Sequence, residues 1–460
     1  VISYSHWNLN AFDGPEGELR DTSPSDEDLP GFLPRSVCVR TDDNEVERLL
    51  ELAGYVRDPD VLDTWFSSAL WPMSTLGWPE PEQSAGTKGM LAAFNPSAVL
   101  STAREIITLW VSRMVMMNRY LMPEGWAEQS ASAYPAKTQA GTPVPPGLDF
   151  RGSLAHSARG SGPIPFKDVF IHAVVQDGDG KRMSKSAGNG VDPLDIISSH
   201  GADALRFTLC QMTTQTQDVR LPVQRDPATG KNTSPKFDLG RNFANKLWNA
   251  ARFAVTMLEP FQPGRGEAAG ANVDRHEDAI DAAQLTLADR WMLARLAKAT
   301  QAIQSAIQGY EFSTYANELY DLIWRDFCDW YLEAIKPSVS QNASTRAVLL
   351  HTLEAMLRLA HPLMPYVTEA IYERVRGLES RSIPGIDFGG GCGAKARDGL
   401  LALAPWPVVD GSLLDEAALA AFGSLCGLVG AVREARAGHK VDAKRKIVLH
   451  ATPADLASLG

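Results

Sequence analysis

The fold of the first half of this chain is decided by residues 169–197, which read VFIHAVVQDGDGKRMSKSAGNGVDPLDII. The apolar, β-branched run from Val169 to Gln176 is typical of a buried strand in a parallel sheet. A basic, glycine-containing loop follows, and Asp192 and Pro193 then stand at the N-cap and first position of a predicted helix. A strand, a loop and a helix in this order indicate an α/β domain.

The loop contains the residues that are the best candidates for a catalytic role. Its core is RMSKS at residues 182–186, and the predicted catalytic residues are Ser184, Lys185 and Ser186. Glycines allow backbone amides to approach an anion, and a loop lysine supplies positive charge to a triphosphate as it reorganises. Lys181 and Arg182 either contact phosphate as well or face only solvent. Because basic, serine-rich loops are common, an ordinary solvated turn is the competing interpretation.

Upstream of the loop, strand and helix signals alternate, so residues 46–225 are interpreted as one α/β segment. An apolar run closes at Leu100, and the spacing of Thr102 and Glu105 predicts a capping box that starts a helix. After the loop, a second helix is predicted from about Ala202 to Met212. These signals place the loop within a repeated strand and helix pattern.

Two stretches lack the periodicity of packed elements. Residues 1–45 are rich in Asp, Glu, Pro and Gly, so we expect a poorly structured segment without a functional site. Residues 123–162 turn to Gly, Pro, Ser and Ala, which cannot form a packed core. We interpret this second stretch as a flexible surface insertion in the α/β segment.

Downstream, residues 226–405 are almost wholly helical. Two apolar stripes at helical spacing are most simply the core of a bundle: Phe243, Leu247, Ala250, Ala254 and Leu258, then Met292, Leu296, Ala299, Ile303 and Ile307. Further helices are predicted at residues 313–335, 345–360 and 365–375. The aromatic residues Trp248, Phe327, Trp330 and Tyr331 fit interior packing better than base stacking. The fold class is therefore α/β followed by all-α.

Residues 406–460 are interpreted as a C-terminal linker and the start of an arm. The net charge of −11 argues against a generally basic coat, so binding to nucleic acid would depend on locally concentrated positive charge. The C-terminal region holds such a cluster, and its members are Arg433, Arg436, Lys440, Lys444, Arg445 and Lys446.

Composition narrows the function classes further. The five cysteines are far apart and form no C-x-x-C pair, so we predict no zinc site, no other protein-bound metal and no disulfide framework. We found no run of 18 or more apolar residues, and the first ten residues do not resemble a signal peptide, so no membrane partner and a cytoplasmic location are expected. An unrelated P-loop nucleotide binder is disfavoured because G-x-x-x-x-G-K-[ST] is absent.

Beyond the loop, further motifs give the sequence a resemblance to the class I aminoacyl-tRNA synthetases, and among them to the valine–tRNA ligase family. The most specific match is DVLDTWFSSALWP at residues 60–72. The other matches are REII at 104–107, WVSRM at 110–114, NFANKLWNA at 242–250, DFCDWYLE at 326–333 and HPLMP at 361–365. The resemblance covers roughly residues 57–375, interrupted by the predicted insertion.

The resemblance implies a partial Rossmann-like catalytic core followed by a helical anticodon-binding bundle. It implies ATP-dependent activation of valine to valyl-adenylate and transfer to tRNA(Val), with Mg²⁺ accompanying the ATP. The residues that it places near ATP are Lys181, Arg182, Met183, Lys185, His172, Gly188 and Asn189. Trp65 and Ile106 would line the valine pocket, where an aromatic wall and a β-branched residue bound a small apolar cavity.

The sequence departs from the family in three respects. The HIGH-type motif and the large editing insertion are absent from these 460 residues, and Arg182 replaces the usual lysine. We therefore expect an incomplete portion of the enzyme, inactive alone, for which a separate chain could carry the HIGH half. A catalytically silent tRNA-binding fragment and an isoleucine- or leucine-type synthetase are the alternatives.

Overall fold

The computed structural model of the 460-residue chain describes residues 2–6, 36–39, 44–57, 63–81, 85–122, 163–184, 186–214, 218–227, 229–262, 279–379, 381–388, 399–442, 445 and 448. The chain divides into two compact units. The first comprises Val1–Pro96, Ile106–Trp126 and Ala158–Pro165, and the second comprises Ser97–Glu105, Ala127–Ser157 and Phe166–Gly460. This division does not follow the predicted segment boundary at residues 225 and 226, because the helices after the RMSKS loop pack on the bundle.

The first unit contains a three-stranded antiparallel sheet in the order β2-β1-β3. Its strands are β1 (Ile2–His6), β2 (Ser36–Val39) and β3 (Tyr55–Arg57), with helix α1 (Asn44–Leu52) before β3. Residues 1–45 are predicted to be poorly structured, and the structure describes two short strands in this range, β1 and β2. Each is only four or five residues long, too short to give a clear periodicity in sequence.

The other helices of the first unit are short. They are α2 (Thr64–Ala69), α3 (Trp71–Ser74), α4 (Met90–Phe94), a π-helical turn (Ile107–Val111) and α5 (Ser112–Leu121). Met73, Leu91 and Met122 form their buried core. The buried amide of Asn95 donates to Asn118 Oδ1 at 2.7 Å, which ties the end of α4 to α5. The predicted insertion at residues 123–162 lies outside the described residues.

The helix predicted after Leu100 exists, but its start differs from the prediction. Thr102 is the last residue of a strand, and its hydroxyl donates to Ala103 O instead of capping a helix. Residues Arg104–Ile106 form a 3-10 turn that leads into the π-helical turn and α5. The predicted capping box is therefore wrong, because the Thr102 hydroxyl bonds Ala103 O and the helical turn after it starts only at Arg104.

The second unit begins with short parallel pairs. Strand β4 (Ser97–Thr102) pairs with β5 (Phe166–Ile171), and β6 (Val175–Asp177) pairs with β7 (Val219–Leu221). The single strand predicted over Val169 to Gln176 is thus two strands interrupted at residues 172–174. The prediction that this run is buried is also wrong: Val169 is 39% exposed and Ile171 48% exposed, because within the described residues β5 pairs with β4 alone.

The segment after the loop has the predicted helices. Asp192 accepts a hydrogen bond from Leu194 N as the N-cap of α6 (Pro193–His200), and α7 (Ala202–Met212) follows. Between α7 and the bundle, β8 (Gln224–Arg225) and β9 (Asn232–Thr233) form a small antiparallel hairpin. The predicted α/β order is confirmed here.

The bundle forms the largest buried core of the described chain. Its elements are α8 (Phe237–Leu258), α9 (Leu287–Gln308), α10 (Phe312–Tyr320), a π-helix (Asp321–Tyr331), α11 (Leu332–Ile335), α12 (Ala343–Ala360) and α13 (Pro365–Val375). All ten residues of the two predicted apolar stripes contribute to this core or pack against it. The short strands β10 (Ile386–Asp387) and β11 (Val408–Val409) pair beside the bundle. The predicted fold class, α/β followed by all-α, is confirmed.

The last described helix, α14 (Glu416–Gly438), packs on α9 through Ala418 and Phe422, whose ring stacks on Trp291 at 4.2 Å. By length and composition alone, α14 would be able to cross a membrane. The search for runs of 18 or more apolar residues did not select this segment, because Gly and Ser interrupt its apolar residues.

Candidate functional site

The loop between β6 and α6 begins as a tight hairpin. The Gly180 amide donates to Asp177 O at 3.0 Å, the Asp177 amide donates to Lys181 O at 2.9 Å, and Arg182 forms an antiparallel bridge with Gln176. Gly180 has a positive φ of 79°, a conformation that favours glycine. The backbone therefore turns back on itself directly after β6 and presents RMSKS beyond the turn.

The Asp177 carboxylate is the centre of the hydrogen bonding in this loop. Its Oδ1 accepts from the amides of Asp179 at 3.0 Å and Lys181 at 2.8 Å, and its Oδ2 accepts from Asn189 Nδ2 at 2.7 Å. The hydrogen bond from Asn189, followed by that from the Lys181 amide, lowers the pKa of Asp177 below its usual value. The carboxylate is therefore ionised at neutral pH, although Asp177 is only 9% exposed.

The Asn189 side chain contacts both ends of the loop. Besides Asp177, its Nδ2 donates to Arg182 O at 3.2 Å, and its Oδ1 accepts from the Ser184 amide at 3.0 Å. Ser184 Oγ in turn accepts from the Ala187 amide at 3.2 Å and lies 3.3 Å from Ser186 Oγ. The two predicted catalytic serines are thus neighbours. Lys185, the principal predicted catalytic residue, lies outside the described residues.

The hairpin of β8 and β9 contacts the far end of the loop. Asn232 Nδ2 donates to the carbonyl oxygens of Gly188 at 3.0 Å and Gly190 at 2.8 Å. Gly188 has a positive φ of 65°. Next to this contact, Lys231 forms an ion pair with Asp195 of α6. The loop is therefore tied at its base and at its exit, and its exposed middle holds the predicted phosphate-binding residues.

The remaining residues predicted near ATP surround this loop. Met183 is half-buried and packs against the small core of Ile196, Leu221 and Phe237, whereas Lys181 and Arg182 are exposed. Arg182 lies 3.8 Å from Glu105 Oε1, an exposed ion pair that contributes little stability.

His172 lies at the end of β5, where its amide donates to Thr102 O at 2.9 Å. Its ring is exposed, with Nδ1 3.0 Å from Ala173 O, so it is available to a ligand and is not a buried core histidine.

A second carboxylate, Asp218, connects the strands behind the loop. It accepts from Arg104 at 2.6 Å, from the Val174 amide at 3.2 Å and from Gln176 Nε2 at 2.9 Å. The Val174 and Arg104 hydrogen bonds lower the pKa of Asp218. Arg104 lies in the 3-10 turn after β4, Val174 directly precedes β6, and Gln176 lies within β6. Asp218 therefore fixes the strand from which the loop emerges.

Trp65 and Ile106, the residues predicted for the amino-acid pocket, are both half-buried in the first unit. Trp65 is in the first turn of α2, where its amide donates to the N-cap Asp63 at 3.3 Å. Helix α2 is tied to the turn that follows Ile106 by a hydrogen bond from Trp110 Nε1 to Ser68 O at 3.0 Å. Trp65 and Ile106 therefore lie on adjoining elements.

The C-terminal basic cluster begins on α14. Arg433 lies over the Trp330 ring at 5.3 Å, and Arg436 donates to Asp442 O. Lys440 and Arg445 belong to the described residues, and Lys440 is exposed with a positive φ of 51°. Lys444 and Lys446 lie outside the described residues. The described part of the cluster is solvent-accessible and starts from the bundle surface.

Basic residues also cover aromatic rings on the bundle. Lys246 lies 5.0 Å from the Trp324 ring, Lys336 lies 5.4 Å from the Phe253 ring, and Arg374 lies 5.4 Å from the Trp248 ring. In contrast, Phe327 and Tyr331 are fully buried, so the packing interpretation is confirmed for these two.

In the part of the chain that the structure describes, no group of three or more His, Cys, Asp or Glu side chains is arranged to hold a metal ion. Three residues of the loop's surroundings were missed in the sequence: Asp177, Asp218 and Asn232. Asp177 had a usable signal, since an aspartate ends a strand directly before a glycine-rich loop. Asp218 and Asn232 gave none, because their partners are distant in sequence.

Two family profiles match the sequence. Residues 39–222 match the family described as tRNA synthetases class I (I, L, M and V), and residues 289–451 match the anticodon-binding domain of tRNA ligase. The valine–tRNA ligase of Rhodopirellula baltica is 36% identical over 457 residues, covering 89% of this chain and 38% of the relative. That of Syntrophotalea carbinolica is 40% identical over 326 residues, covering 70% of this chain and 29% of the relative.

The chain thus spans well under half the length of these curated relatives. Among solved structures, the LeuRS of Agrobacterium radiobacter in its ternary complex with tRNA and LeuAMS has a TM-score of 0.50 and 17% identity. The likeness covers 78% of this chain and 34% of that one. At this identity it supports the fold alone.

Proposed function

The chain belongs to the class I tRNA synthetases, and from this premise we propose that it supplies the phosphate loop and anticodon-binding bundle of a valine–tRNA ligase. The proposed reaction joins valine to the α-phosphate of ATP, releases pyrophosphate, and then transfers the valyl group to tRNA(Val). The observation that carries the proposal is the hydrogen-bonded set of Asp177, Ser184 and Asn189 around the RMSKS motif, in a chain similar to valine–tRNA ligases over most of its length.

In this proposal the loop acts on the departing pyrophosphate. Lys185 supplies positive charge, while the hydroxyls and amides of Ser184 and Ser186 hold phosphate oxygens. Lys181, Arg182 and Met183 form the near side of the ATP site, and His172, Gly188 and Asn189 lie toward the nucleotide. Mg²⁺ arrives with ATP as part of the substrate.

Valine selection is assigned to Trp65 and Ile106. A rigid indole and a β-branched side chain can bound a pocket too small for isoleucine, although one methylene discriminates by only about 1–3 kcal/mol. An isoleucine- or leucine-type synthetase is the competing proposal. The 32–40% identity to valine–tRNA ligases favours valine.

We assign tRNA binding to the bundle and to the cluster from Arg433 to Lys446. Arg374 adds positive charge beside the half-buried Trp248 ring, whereas Lys246 and Lys336 are paired with Asp329 and Glu333. If about four phosphate contacts form, a fourfold rise in salt lowers affinity by roughly 100-fold, because counterions are released on binding. Filter binding of tRNA(Val) to the purified chain tests this. Absence of binding at low salt would refute the assignment, and equal binding of unrelated RNA would reduce it to nonspecific attraction.

The adenylation chemistry also requires a HIGH-type segment, which we propose is supplied by residues other than these 460, in the same polypeptide or in a separate chain. Support comes from the β4 and β5 pair, where Val99, Val169 and Ile171 are 39–48% exposed. Parallel sheets are normally covered on both faces, so further residues are expected to cover this pair. A cytoplasmic location accompanies the proposal.

The activity is tested by ATP-pyrophosphate exchange with valine, isoleucine and leucine, using the chain assembled with a HIGH-bearing half. We expect exchange with valine in clear excess over the other two. Exchange that depends on isoleucine or leucine would identify that amino acid, and not valine, as the substrate. Absence of exchange with all three, together with specific tRNA binding, would instead support a catalytically silent tRNA-binding module.

A further inference from the structure

The base of the RMSKS loop contains a pair of side chains that join its two ends. We propose that Asp177 and Asn189 are positioning residues that hold the loop in the conformation used for adenylation. This inference rests on the proposed function for its kinetic consequence, whereas the ordering of the loop can be tested without any activity.

The Asp177 side chain is held in one orientation by its own turn. Both amides that donate to Oδ1, those of Asp179 and Lys181, belong to the hairpin directly after β6. Rotation of the carboxylate would break both hydrogen bonds. Consequently Oδ2 is held at a fixed position on the side of the loop where Asn189 returns.

The Asn189 side chain then orders the segment that contains RMSKS. Its Nδ2 uses both hydrogens, one on Asp177 Oδ2 and one on Arg182 O, while its Oδ1 accepts the Ser184 amide. The two residues flanking the central Met183 are thereby fixed, and Lys185 follows directly in the chain. Because Asn189 belongs to the exit of the loop, the pair joins entry and exit through side chains alone.

The chemistry of the pair explains why these residue types are needed. Position 189 must donate twice and accept once, which an amide can do and a carboxylate cannot. Position 177 must accept three hydrogen bonds from N–H groups, which suits an ionised carboxylate. These donors occupy both carboxylate oxygens, so the charge of Asp177 is compensated locally and faces the loop backbone.

The ordering role is tested by hydrogen-deuterium exchange of the 460-residue chain. Since the bond to Asp177 is charge-assisted, Asn189→Ala should speed exchange in the peptide spanning residues 181–187 by about 10- to 100-fold. Exchange in bundle peptides should stay at the wild-type rate, which shows that the variant is folded. The matched control is Asp179→Asn, because in the described part of the chain the Asp179 carboxylate makes no hydrogen bond or ion pair.

An unchanged exchange rate at residues 181–187 in both Asn189→Ala and Asp177→Asn would overturn the inference. In Asp177→Asn, the new amide would point a donor at the Asn189 donor, so this variant should loosen the loop as well. The result is independent of catalysis, and it therefore separates this inference from the proposed function.

The positioning role is tested by kinetics in the assembled enzyme. Displacement of a catalytic group by about 1 Å can cost 100-fold, so Asn189→Ala should lower kcat for valine-dependent exchange by about that factor. The valine KM should change by less than about twofold, because the loop acts after valine binds. A kcat within about twofold of the wild type would overturn the positioning role, whereas a wild-type enzyme without valine-dependent exchange would refute the proposed function instead.

A double variant in which the two residue types are swapped distinguishes a specific Asp177–Asn189 interaction from general destabilisation of the loop. In Asp177→Asn with Asn189→Asp, the amide at position 177 keeps its acceptor for both hairpin amides and donates to the carboxylate at 189. That carboxylate can still accept the Ser184 amide, but it places an acceptor where Asn189 donated to Arg182 O, so the rescue should be partial. We expect the double variant to exceed both single variants in kcat, and a double variant no better than either would contradict a direct pair.

Discussion

The contact between α7 and the first bundle helix, α8, depends on Gly240. This residue lies at the end of the first turn of α8, in the second unit, and faces α7. A Cβ added at Gly240 would lie 2.6 Å from Ala204 O, 2.7 Å from Thr208 Oγ1 and 2.9 Å from Ala204 Cα. Two of these three atoms belong to backbone, which cannot rotate away. The close approach is continued by the Phe207 and Phe243 rings, whose centroids are 4.7 Å apart.

We predict that Gly240→Ala lowers the free energy of unfolding by about 1–2 kcal/mol. Overpacking of a well-packed contact costs about 1–3 kcal/mol, and the rigid backbone neighbours place this site in the upper half of that range. Replacing glycine by alanine within a helix returns at most about 1 kcal/mol. The steric cost therefore exceeds the gain in helix propensity.

The assay is urea unfolding followed by the fluorescence of the bundle tryptophans, with the midpoint and slope compared between variants. Gly423→Ala in α14 is the matched control, because a Cβ there would meet no atom within 4 Å. This control should stabilise the chain by about 0.5–1 kcal/mol. A Gly240→Ala variant as stable as the wild type would refute the claim that the two helices are in tight contact.

Two further predictions concern buried groups of the second unit. Burial raises the pKa of Cys210 and Cys328 to about 12. Both thiols should therefore stay protonated at about pH 8 and react slowly with iodoacetamide until the chain unfolds. Mass spectrometry measures the extent of labelling. The stability that these protonated thiols contribute should be complete below about pH 9 and lost as the pH rises to about 12; rapid native labelling would contradict this. Asp289→Ala should destabilise the bundle by about 3–5 kcal/mol in urea unfolding, because the hydroxyls of Tyr331 and Thr345 lose their buried acceptor and α9 loses its capping box. A cost for Asp289→Ala equal to that of Asp281→Ala, which removes an exposed cap, would show that this network is unimportant.

The bundle could be predicted closely from the sequence because helical periodicity and stop signals act locally. Residues 365–375 were predicted as one helix and form α13, and the N-cap at Asp192 was predicted from its own residue type and the proline after it. The strands were less predictable. Pairing with distant residues determines where β5 ends and where β6 begins, and no local pattern marks the break at His172.

The candidate site was predictable only in its motif residues. Ser184 and Ser186 were identified because loop chemistry and family resemblance coincide there, and the structure places their hydroxyls 3.3 Å apart. Two of the residues that hold the loop, Asp177 and Asn232, were not identified, since their roles depend on which side chains and carbonyls fold against them. A sequence shows which groups can react, whereas the hydrogen-bond partners of those groups require the folded chain.

The proposal that the RMSKS loop acts on the pyrophosphate of ATP is tested most directly by valine-dependent ATP-pyrophosphate exchange in Lys185→Ala. The enzyme is the chain assembled with a HIGH-bearing half, and the unassisted 460-residue chain, expected to be inactive, is measured alongside it. Loss of one contact made in the transition state costs about 3–4 kcal/mol, so kcat should fall by roughly 100- to 1000-fold with a small change in valine KM. Near-normal exchange by Lys185→Ala would remove the lysine from the mechanism and leave the loop as an ordinary solvated turn.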